Sequence, residues 1–246
     1  MKVTEVLVLA GAGTLGGIFS TVVAIASLVT YPVLLALGVP PLSANMTNTV
    51  SLVLTGAGSV AGSRPELAGQ KDRVLRLAAV TATGGLAGAA ALLLAPASTF
   101  TVVVPVLIGA ASLLLLIQPR LRMRPGSSSP GHYVALFAVA VYVGYFGAAA
   151  GVMLLIVLST MIAEPLIKVN AIKNAVSGAA NCMAAIVFTI FGTVRWMLVP
   201  PLAAGFLLGG WLGPKIARRV PAAALRVAVS LCGVGLAIHL GMGAYH

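Results

Sequence analysis

The sequence predicts an all-α polytopic membrane protein that consists of two inverted repeats. Three observations support this fold class. Of the 246 residues, 60% are hydrophobic and only 8% are charged, a composition not found in soluble domains. The two halves of the chain resemble each other, and each half opens with a long apolar segment that contains glycines. At about 20 apolar residues per crossing, the chain has room for roughly eight spans and no soluble catalytic domain.

The internal repeat is marked by two landmarks that keep their register. Asn48-x-x-Ser51 aligns with Asn174-x-x-Ser177, and Gly84-Gly85-x-x-Gly88 aligns with Gly209-Gly210-x-x-Gly213 after a single one-residue gap. Two copies of one membrane unit are typical of transporters. The two glycine series are expected to form helix faces that pack closely against neighbouring helices.

The chain divides into eight apolar segments, two of which are too long for one ordinary crossing. Those two segments, at 5–38 and 132–164, occupy matching positions and contain glycines, a pattern typical of broken or re-entrant helices. Whether they re-enter or cross twice stays open at this point. We therefore expect each repeat to contain a broken or re-entrant helical hairpin and about three transmembrane helices. The other segments lie at 42–62, 74–96, 99–118, 170–192, 196–214 and 222–243.

The distribution of Lys and Arg supports the hairpins. If every segment crosses once, the basic residues divide nearly evenly between the two sides. If both long segments are hairpins, all basic residues except Lys2 and Arg195 lie on one side, as the cytoplasmic enrichment of Lys and Arg requires. Each half then crosses an odd number of times, which makes the repeat inverted. The predicted domains are a first repeat at 1–118, a cytoplasmic basic linker at 119–131 and a second repeat at 132–246, all in the cytoplasmic (inner) membrane.

Two matched polar clusters are the candidate substrate site. Each cluster opens a helix, where free backbone N–H groups and a partial positive charge favour an oxyanion. Helical spacing gives each cluster a polar stripe, and an inverted repeat would bring the two stripes together. Nearly all the polar groups are neutral, which favours a small anionic or polar substrate. The candidate binding residues are Asn48 and Asn174, with Asn45, Thr47, Ser51, Lys173, Ser177 and Asn181 around them.

Two of these residues, and Asn170 at the start of the second cluster, allow a second interpretation. Asn45 and Asn170 lie nearest the expected helix starts and are better suited to capping their own helices than to binding substrate. Lys173 either contacts the anion or extends its charge to the cytoplasmic head groups, and the sequence does not decide between the two.

Energy coupling has one acidic candidate. Glu164 is the only one of the four acidic residues not expected in a basic loop or at an outer segment end. A membrane potential that is negative inside expels anions without a proton carrier, so we expect Glu164 to contribute little to transport.

The sequence has no motif for catalysis or for metal binding. The histidines lack metal-ligand spacing, and no catalytic triad or phosphate-binding loop is present. We therefore expect no enzyme activity, cofactor, metal or nucleic-acid partner. The expected partners are the lipid bilayer and a small anion, and the sequence allows a homodimer.

Several short motifs resemble a known family. Gly16-Gly17 precedes Pro32-Val33-Leu34-Leu35, and Gly38-x-Pro40-x-x-x-Ala44 follows. The second half contains Gly144-x-x-Gly147-x-x-x-Gly151, and then Gly192-x-Val194-x-Trp196 ahead of Gly205, Gly209 and Gly213. In order and duplication, these motifs resemble the sulfite exporter family TauE/SafE over nearly the whole chain.

The resemblance implies export of sulfite, sulfoacetate or a related organosulfur anion across the cytoplasmic membrane. The chain departs from the commoner family pattern at 20–27, where much of a glycine-rich run is replaced, and it has no first-half counterpart of Trp196.

We expect an exporter that works by alternating access. The alternative is a non-transporting integral membrane scaffold or assembly protein, although a scaffold does not explain why the polar clusters are duplicated.

Overall fold

The regular secondary structure of the described part of the chain is entirely helical. A computed structural model describes residues 2–96, 100, 106 and 129–219. No strand occurs in these ranges, and a short 3-10 helix, Trp196–Leu198, precedes the last helix. Apart from Phe100 and Val106, the predicted segments 99–118 and 222–243 lie outside the described residues. The α-helices are α1 Val3–Val23, α2 Ala26–Ala36, α3 Pro41–Gly62, α4 Arg64–Leu67, α5 Lys71–Leu94, α6 Pro130–Tyr145, α7 Ala150–Met161, α8 Leu166–Phe191 and α9 Val199–Ala217.

Four stretches of the described chain are long and apolar enough to cross a membrane. They are α1, α5, α8 and the stretch Trp196–Ala217, which includes α9. Their outward surfaces carry exposed apolar side chains such as Leu7, Ile190 and Leu208, which are stable in contact with lipid. Helix α3 also has 22 residues, but it buries a polar stripe against the other helices. The chain is therefore a multi-pass membrane protein.

Both long segments are broken into two helices, as their length predicted. The first break lies at Ala24, which has a φ of 66°, and the second contains Gly147 at 72° and Ala149 at 51°. These left-handed conformations end one helix and redirect the chain into the next. The glycines at 11–17 do not mark the first break, because all of them lie inside α1.

The second helix of each broken segment is too short to cross a bilayer. Helices α2 and α7 have 11 and 12 residues, or about 16 and 18 Å, against a hydrocarbon core of about 30 Å. Helix α2 ends near the start of α1, because Leu37 and Gly38 line a surface pocket together with Glu5. The loop after α7 reaches the start of α5, where Gln70 donates a hydrogen bond to Glu164. Each broken segment therefore turns back toward the end of the molecule at which it begins.

Glycine faces bring the long helices into close contact, as the sequence predicted. Helix α1 runs parallel to α9, since Gly13 lies against Gly205 and Gly17 lies against Gly209 and Gly210. Helix α5 packs in the same way against α6 through its glycine face, Gly84 to Gly88. An added Cβ at Gly17 would lie 2.8 Å from the Gly210 nitrogen, which leaves no room for a side chain. These contacts surround the central pair α3 and α8.

Candidate functional site

A small cavity lies where the two helix breaks meet the middle of α3 and α8. Its volume is about 40 Å³, which is enough for roughly three water molecules or one small oxyanion. Both breaks contribute to the wall, and the polar side chains of α3 and α8 complete it. The residues that the following paragraphs use are Ser20, Ser27, Thr55, Lys173, Asn174 and Asn181.

The half-length helices α2 and α7 both begin at this cavity. Ala26 and Ser27 of α2, and Ala150 and Gly151 of α7, form part of its wall. Among the described residues, no side chain caps the N-terminus of either helix. The first N–H groups of a helix lack intrahelical acceptors, and the helix dipole gives this end a partial positive charge. Two such ends at one cavity favour an anion.

Two buried polar atoms on the cavity wall have no hydrogen-bond partner among the described residues. One is the Asn174 side-chain nitrogen, on a residue that is 7% exposed, and the other is the Thr55 hydroxyl, on a residue that is 5% exposed. A buried polar group without a partner is costly, so such groups are rare in native proteins. Both atoms can donate a hydrogen bond, and a bound anion would accept from both.

Lys173 adds a buried amino group to the same wall. The residue is 2% exposed, and its ammonium donates one hydrogen bond to the Ser20 carbonyl, 3.1 Å away. The chain has only four acidic residues, all within the described ranges, and none forms an ion pair with Lys173. The extended, head-group-facing interpretation of Lys173 is therefore wrong. A protonated amino group at this depth requires an opposite charge nearby, which an anionic substrate would supply.

The structure divides the predicted site residues unevenly between the two halves. Ser177 and Asn181 line the cavity with Lys173 and Asn174. Asn48 does not line it: its side-chain oxygen accepts a hydrogen bond from Thr30 at 2.6 Å, and its nitrogen donates to Ser27 at 3.3 Å. The paired amides of the two repeats therefore have different surroundings, and a direct contact between Asn48 and substrate stays a prediction.

The other three first-half residues form contacts away from the cavity. The Thr47 hydroxyl accepts a hydrogen bond from the backbone of Arg195, and the Ser51 hydroxyl donates to the Thr47 carbonyl. Asn45 donates to the carbonyl of Tyr145, at the end of α6. Their role in substrate binding likewise stays a prediction.

The expected capping role of Asn45 and Asn170 is wrong. The N-caps of α3 and α8 are Pro40 and Pro165, so the two asparagines lie inside their helices. Each instead donates to the opposite half of the chain. Asn45 reaches the Tyr145 carbonyl at 3.0 Å, and Asn170 reaches the Thr21 carbonyl, near the end of α1, at 2.8 Å. The helix N-termini at the cavity are consequently those of α2 and α7, not those of α3 and α8.

Comparisons with known proteins identify the family. The sequence model of the sulfite exporter TauE/SafE family matches residues 9–240. The chain belongs to this family. It is 27% identical over 216 residues to the "probable membrane transporter protein YfcA" of Escherichia coli (strain K12), which covers 84% of this chain and 77% of the relative. It is 24% identical over 234 residues to the "probable membrane transporter protein ORF9" of Sinorhizobium sp, which covers 93% and 89%. No solved structure matches it.

Sequence reasoning missed part of the cavity wall of this TauE/SafE chain. Thr55 and Ser59 of α3, together with Ser20 and Ser27 at the first break, also line the cavity. The signal for Thr55 and Ser59 was present, because they continue a four-residue spacing from Thr47 and Ser51. The serines at the break had no such signal. Within the described ranges, no group of three metal-ligating side chains occurs.

Glu164 lies outside the cavity of this family member, at the start of α8. Its carboxylate accepts hydrogen bonds from Lys168 at 3.1 Å and Gln70 at 3.3 Å, and Arg73 is 3.9 Å away. The hydrogen bond from Lys168 is the largest cause that lowers the pKa of Glu164 below its ordinary value, and the hydrogen bond from Gln70 is the second largest. With a side chain that is 26% exposed, this ion-pair group lies at the surface. A coupling role for Glu164 stays a prediction.

Proposed function

We propose that this protein exports a small sulfur-containing anion, such as sulfite or the organosulfonate sulfoacetate, across the cytoplasmic membrane by alternating access. The observation that carries this function is the buried Lys173, which has no acidic partner and lies beside the unpartnered Asn174 amide at the start of two half-length helices. The description of the matching family as a sulfite exporter supports the substrate class. Both relatives are named probable membrane transporter proteins, which supports a transport function for this chain.

The chemistry of the cavity favours an oxyanion over a cation or a neutral solute. The Asn174 nitrogen and a protonated Lys173 can only donate hydrogen bonds, and the hydroxyls of Thr55 and Ser177 can also donate. No acidic side chain of the described residues lies on the wall. Charge-assisted hydrogen bonds to an anion are shorter and stronger than neutral ones. A compact oxyanion such as sulfite is suited to a cavity of about 40 Å³, whereas a sulfonate with a longer tail requires the site to open.

An inverted repeat accounts for the helix contacts. Helix α1 packs on α9 as α6 packs on α5, and α3 packs on α9 as α8 packs on α5. The first hairpin, α1 and α2, starts and finishes on the side of the molecule that carries Glu5. The second hairpin, α6 and α7, starts and finishes on the side that carries Gln70 and Glu164. Halves related in this way, with a central site at broken helices, support alternating access.

The charges at the two ends support an orientation. Arg73, Lys168 and Arg218 lie at one end, where they form ion pairs with Glu164 and Glu66. Lys2 and Arg195 belong to the opposite end. Because Lys and Arg are enriched in cytoplasmic loops, the first end faces the cytoplasm. A membrane potential that is negative inside then drives anions outward.

Anion flux in proteoliposomes tests the function. We would measure sulfite, sulfoacetate, sulfate and chloride on the wild type, on Lys173→Met and on Asn174→Ala. Loss of a buried charged donor should reduce sulfite flux by about 10- to 100-fold, and loss of the amide by about tenfold. Lys168→Met, which removes a surface lysine of the same helix, is the matched control and should retain flux.

Two results would contradict this function. If Lys173→Met transports sulfite as well as Lys168→Met does, the central site is not the path. If folded wild-type protein moves none of the four anions, the scaffold or assembly alternative gains support.

A further inference from the structure

The Lys173 side chain has fewer hydrogen-bond partners than a charged ammonium group needs. An ammonium group has three N–H donors, whereas a neutral amine has two and a lone pair. Among the described residues, the Lys173 nitrogen forms one hydrogen bond, to the Ser20 carbonyl at 3.1 Å. That carbonyl also accepts a hydrogen bond from the Ala24 N–H, so both of its lone pairs are used. An ammonium group in the empty cavity is therefore left with unused donors.

The electrostatic surroundings of the empty cavity also oppose a charge on Lys173. The residue is 2% exposed, and removal from water disfavours the charged form of an amino group. The first residues of α2 and α7 lie on the same wall, and the partial positive charge of a helix N-terminus repels a cation. Burial, missing acceptors and helix dipoles thus all act against an ammonium group while no anion is present.

No other titratable side chain is placed to offset these costs. Lys173 is the only titratable residue of the described chain on the cavity wall, and helices α3 and α7 contain none. Titratable residues of the other surrounding helices lie off the wall: Glu5 of α1, Tyr31 of α2, Arg64 and Glu66 of α4, Lys71, Asp72, Arg73 and Arg76 of α5, His132, Tyr133, Tyr142 and Tyr145 of α6, Lys168 and Cys182 of α8, and Lys215 of α9.

An anion in the cavity reverses the balance at Lys173. Its oxygen atoms accept hydrogen bonds from the unused ammonium donors, and from the neighbouring Asn174 nitrogen, which has no partner among the described residues. An opposite charge close to an amino group favours the charged form, and charge-assisted hydrogen bonds are stronger than neutral ones. Occupancy of the cavity and protonation of Lys173 therefore favour each other.

We propose that Lys173 is the coupling residue of the central site, neutral while the cavity is empty and protonated by one proton from water as an anion enters. The proposal rests on the proposed anion transport. When the anion leaves on the opposite side, the amine returns its proton to water, so one proton crosses with each anion. Fully ionised sulfite and sulfoacetate each carry two negative charges and retain one net negative charge with the proton. The membrane potential therefore still drives their export.

Calorimetric titration of the purified protein in detergent counts the protons. Sulfite is titrated at one pH in buffers of different ionisation enthalpy, and the dependence of the binding enthalpy on that quantity gives the protons taken up per anion. Lys173→Arg keeps a permanent charge at this position. Lys168→Met, which removes a surface lysine of the same helix, is the matched control. Sulfite takes up protons of its own near neutral pH, but equally in each protein, because the loaded sites carry the same charge.

We expect wild type and Lys168→Met to take up about one proton more per bound sulfite than Lys173→Arg does. As the pH rises from about 7 to about 9, the sulfite affinity of wild type relative to that of Lys173→Arg should fall by up to about tenfold per pH unit. The reason is that the amine of the empty wild-type site must first be protonated. Equal proton counts and parallel pH profiles in wild type and Lys173→Arg would overturn the proposal.

Methanesulfonate keeps the test decisive if Lys173→Arg does not fold. The charge of this small sulfonate is constant over the same pH range, so any proton that wild type takes up with it is bound by the protein. We expect about one proton per bound methanesulfonate. Binding without proton uptake would overturn the proposal.

The proton count separates this proposal from the proposed function. Sulfite flux that Lys173→Met abolishes, together with equal proton counts in wild type and Lys173→Arg, would retain the exporter and reject the coupling role of Lys173. Proton uptake with an anion that the proteoliposomes do not transport would support the link between binding and protonation and contradict export.

Discussion

Asn48 and Asn174 occupy matching positions in the two halves, but their side chains have different partners. Both ends of the Asn48 amide are bonded to α2, through Thr30 and Ser27. The Asn174 nitrogen has no partner among the described residues and lies on the cavity wall. Asn48 therefore holds a half-length helix in place, and Asn174 remains available for a ligand.

The two alanine substitutions should separate stability from binding. Asn48→Ala removes two buried hydrogen bonds and should lower the free energy of unfolding by about 1–2 kcal/mol. Asn174→Ala removes an unpartnered donor and should change it by less than about 0.5 kcal/mol, while sulfite affinity falls. Thermal unfolding in detergent, with and without sulfite, measures both effects. Equal destabilisation by the two substitutions would show that Asn174 has a structural partner after all.

The sequence predicted the identity of several cavity residues but not their partners. The repeat and the helical spacing indicated Lys173, Asn174, Ser177 and Asn181, all of which line the cavity. The sequence could not show that the Asn48 side chain bonds to α2, because that contact depends on where the first break occurs. Ala24, which makes the break, has no local signal in the sequence, since alanine favours helix.

At the scale of the helices, segment length was a better guide than glycine content. Both segments that were too long for one crossing are broken. The glycines have two separate functions: Gly147 adopts a left-handed conformation at a break, whereas Gly13 and Gly17 allow α9 to approach α1. A sequence pattern alone does not distinguish a glycine that bends the chain from one that accommodates a neighbour.

Two glycines of α1 provide a direct test of the packing. Gly17→Ala places a Cβ about 2.8 Å from the Gly210 nitrogen, and the resulting overpacking should cost about 1–3 kcal/mol. Gly11→Ala is the matched control, because no atom lies within 4 Å of its added Cβ; it should be neutral or stabilise the helix by up to about 1 kcal/mol. Melting temperatures in one detergent compare the two. A Gly17→Ala protein as stable as Gly11→Ala would exclude the close α1–α9 contact.

At the scale of the whole molecule, Glu164 connects the two halves at the basic end. Its carboxylate joins Gln70 and Arg73, at the start of α5, to Lys168 of α8. Because its pKa is lowered in the folded state, the charged form stabilises the fold. That stabilisation is present above the ordinary value of 4.5 and is lost as the pH falls through the lower folded value.

Glu164→Gln should therefore lower the melting temperature at neutral pH, and its difference from wild type should disappear as the pH falls below about 4.5. Asp72→Asn is the control, since Asp72 is exposed and forms no ion pair with the described residues. Sulfite flux by Glu164→Gln should be reduced only modestly or not at all. Complete loss of flux in a normally folded protein would instead assign Glu164 to energy coupling.

The alanines at the two breaks determine which parts of the molecule can move. Ala24 and Ala149 both have positive φ angles, at 66° and 51°, a conformation that costs an alanine roughly 1–2 kcal/mol and a glycine almost nothing. Glycine at these positions would make each break a loose joint with many available angles. Alanine has far fewer, so Ala24 makes the first break a fixed corner, whereas the second break also contains Gly147 and can bend more easily. The proposed alternating access would therefore combine bending at the second break with sliding along the glycine contacts of α1 with α9 and of α5 with α6.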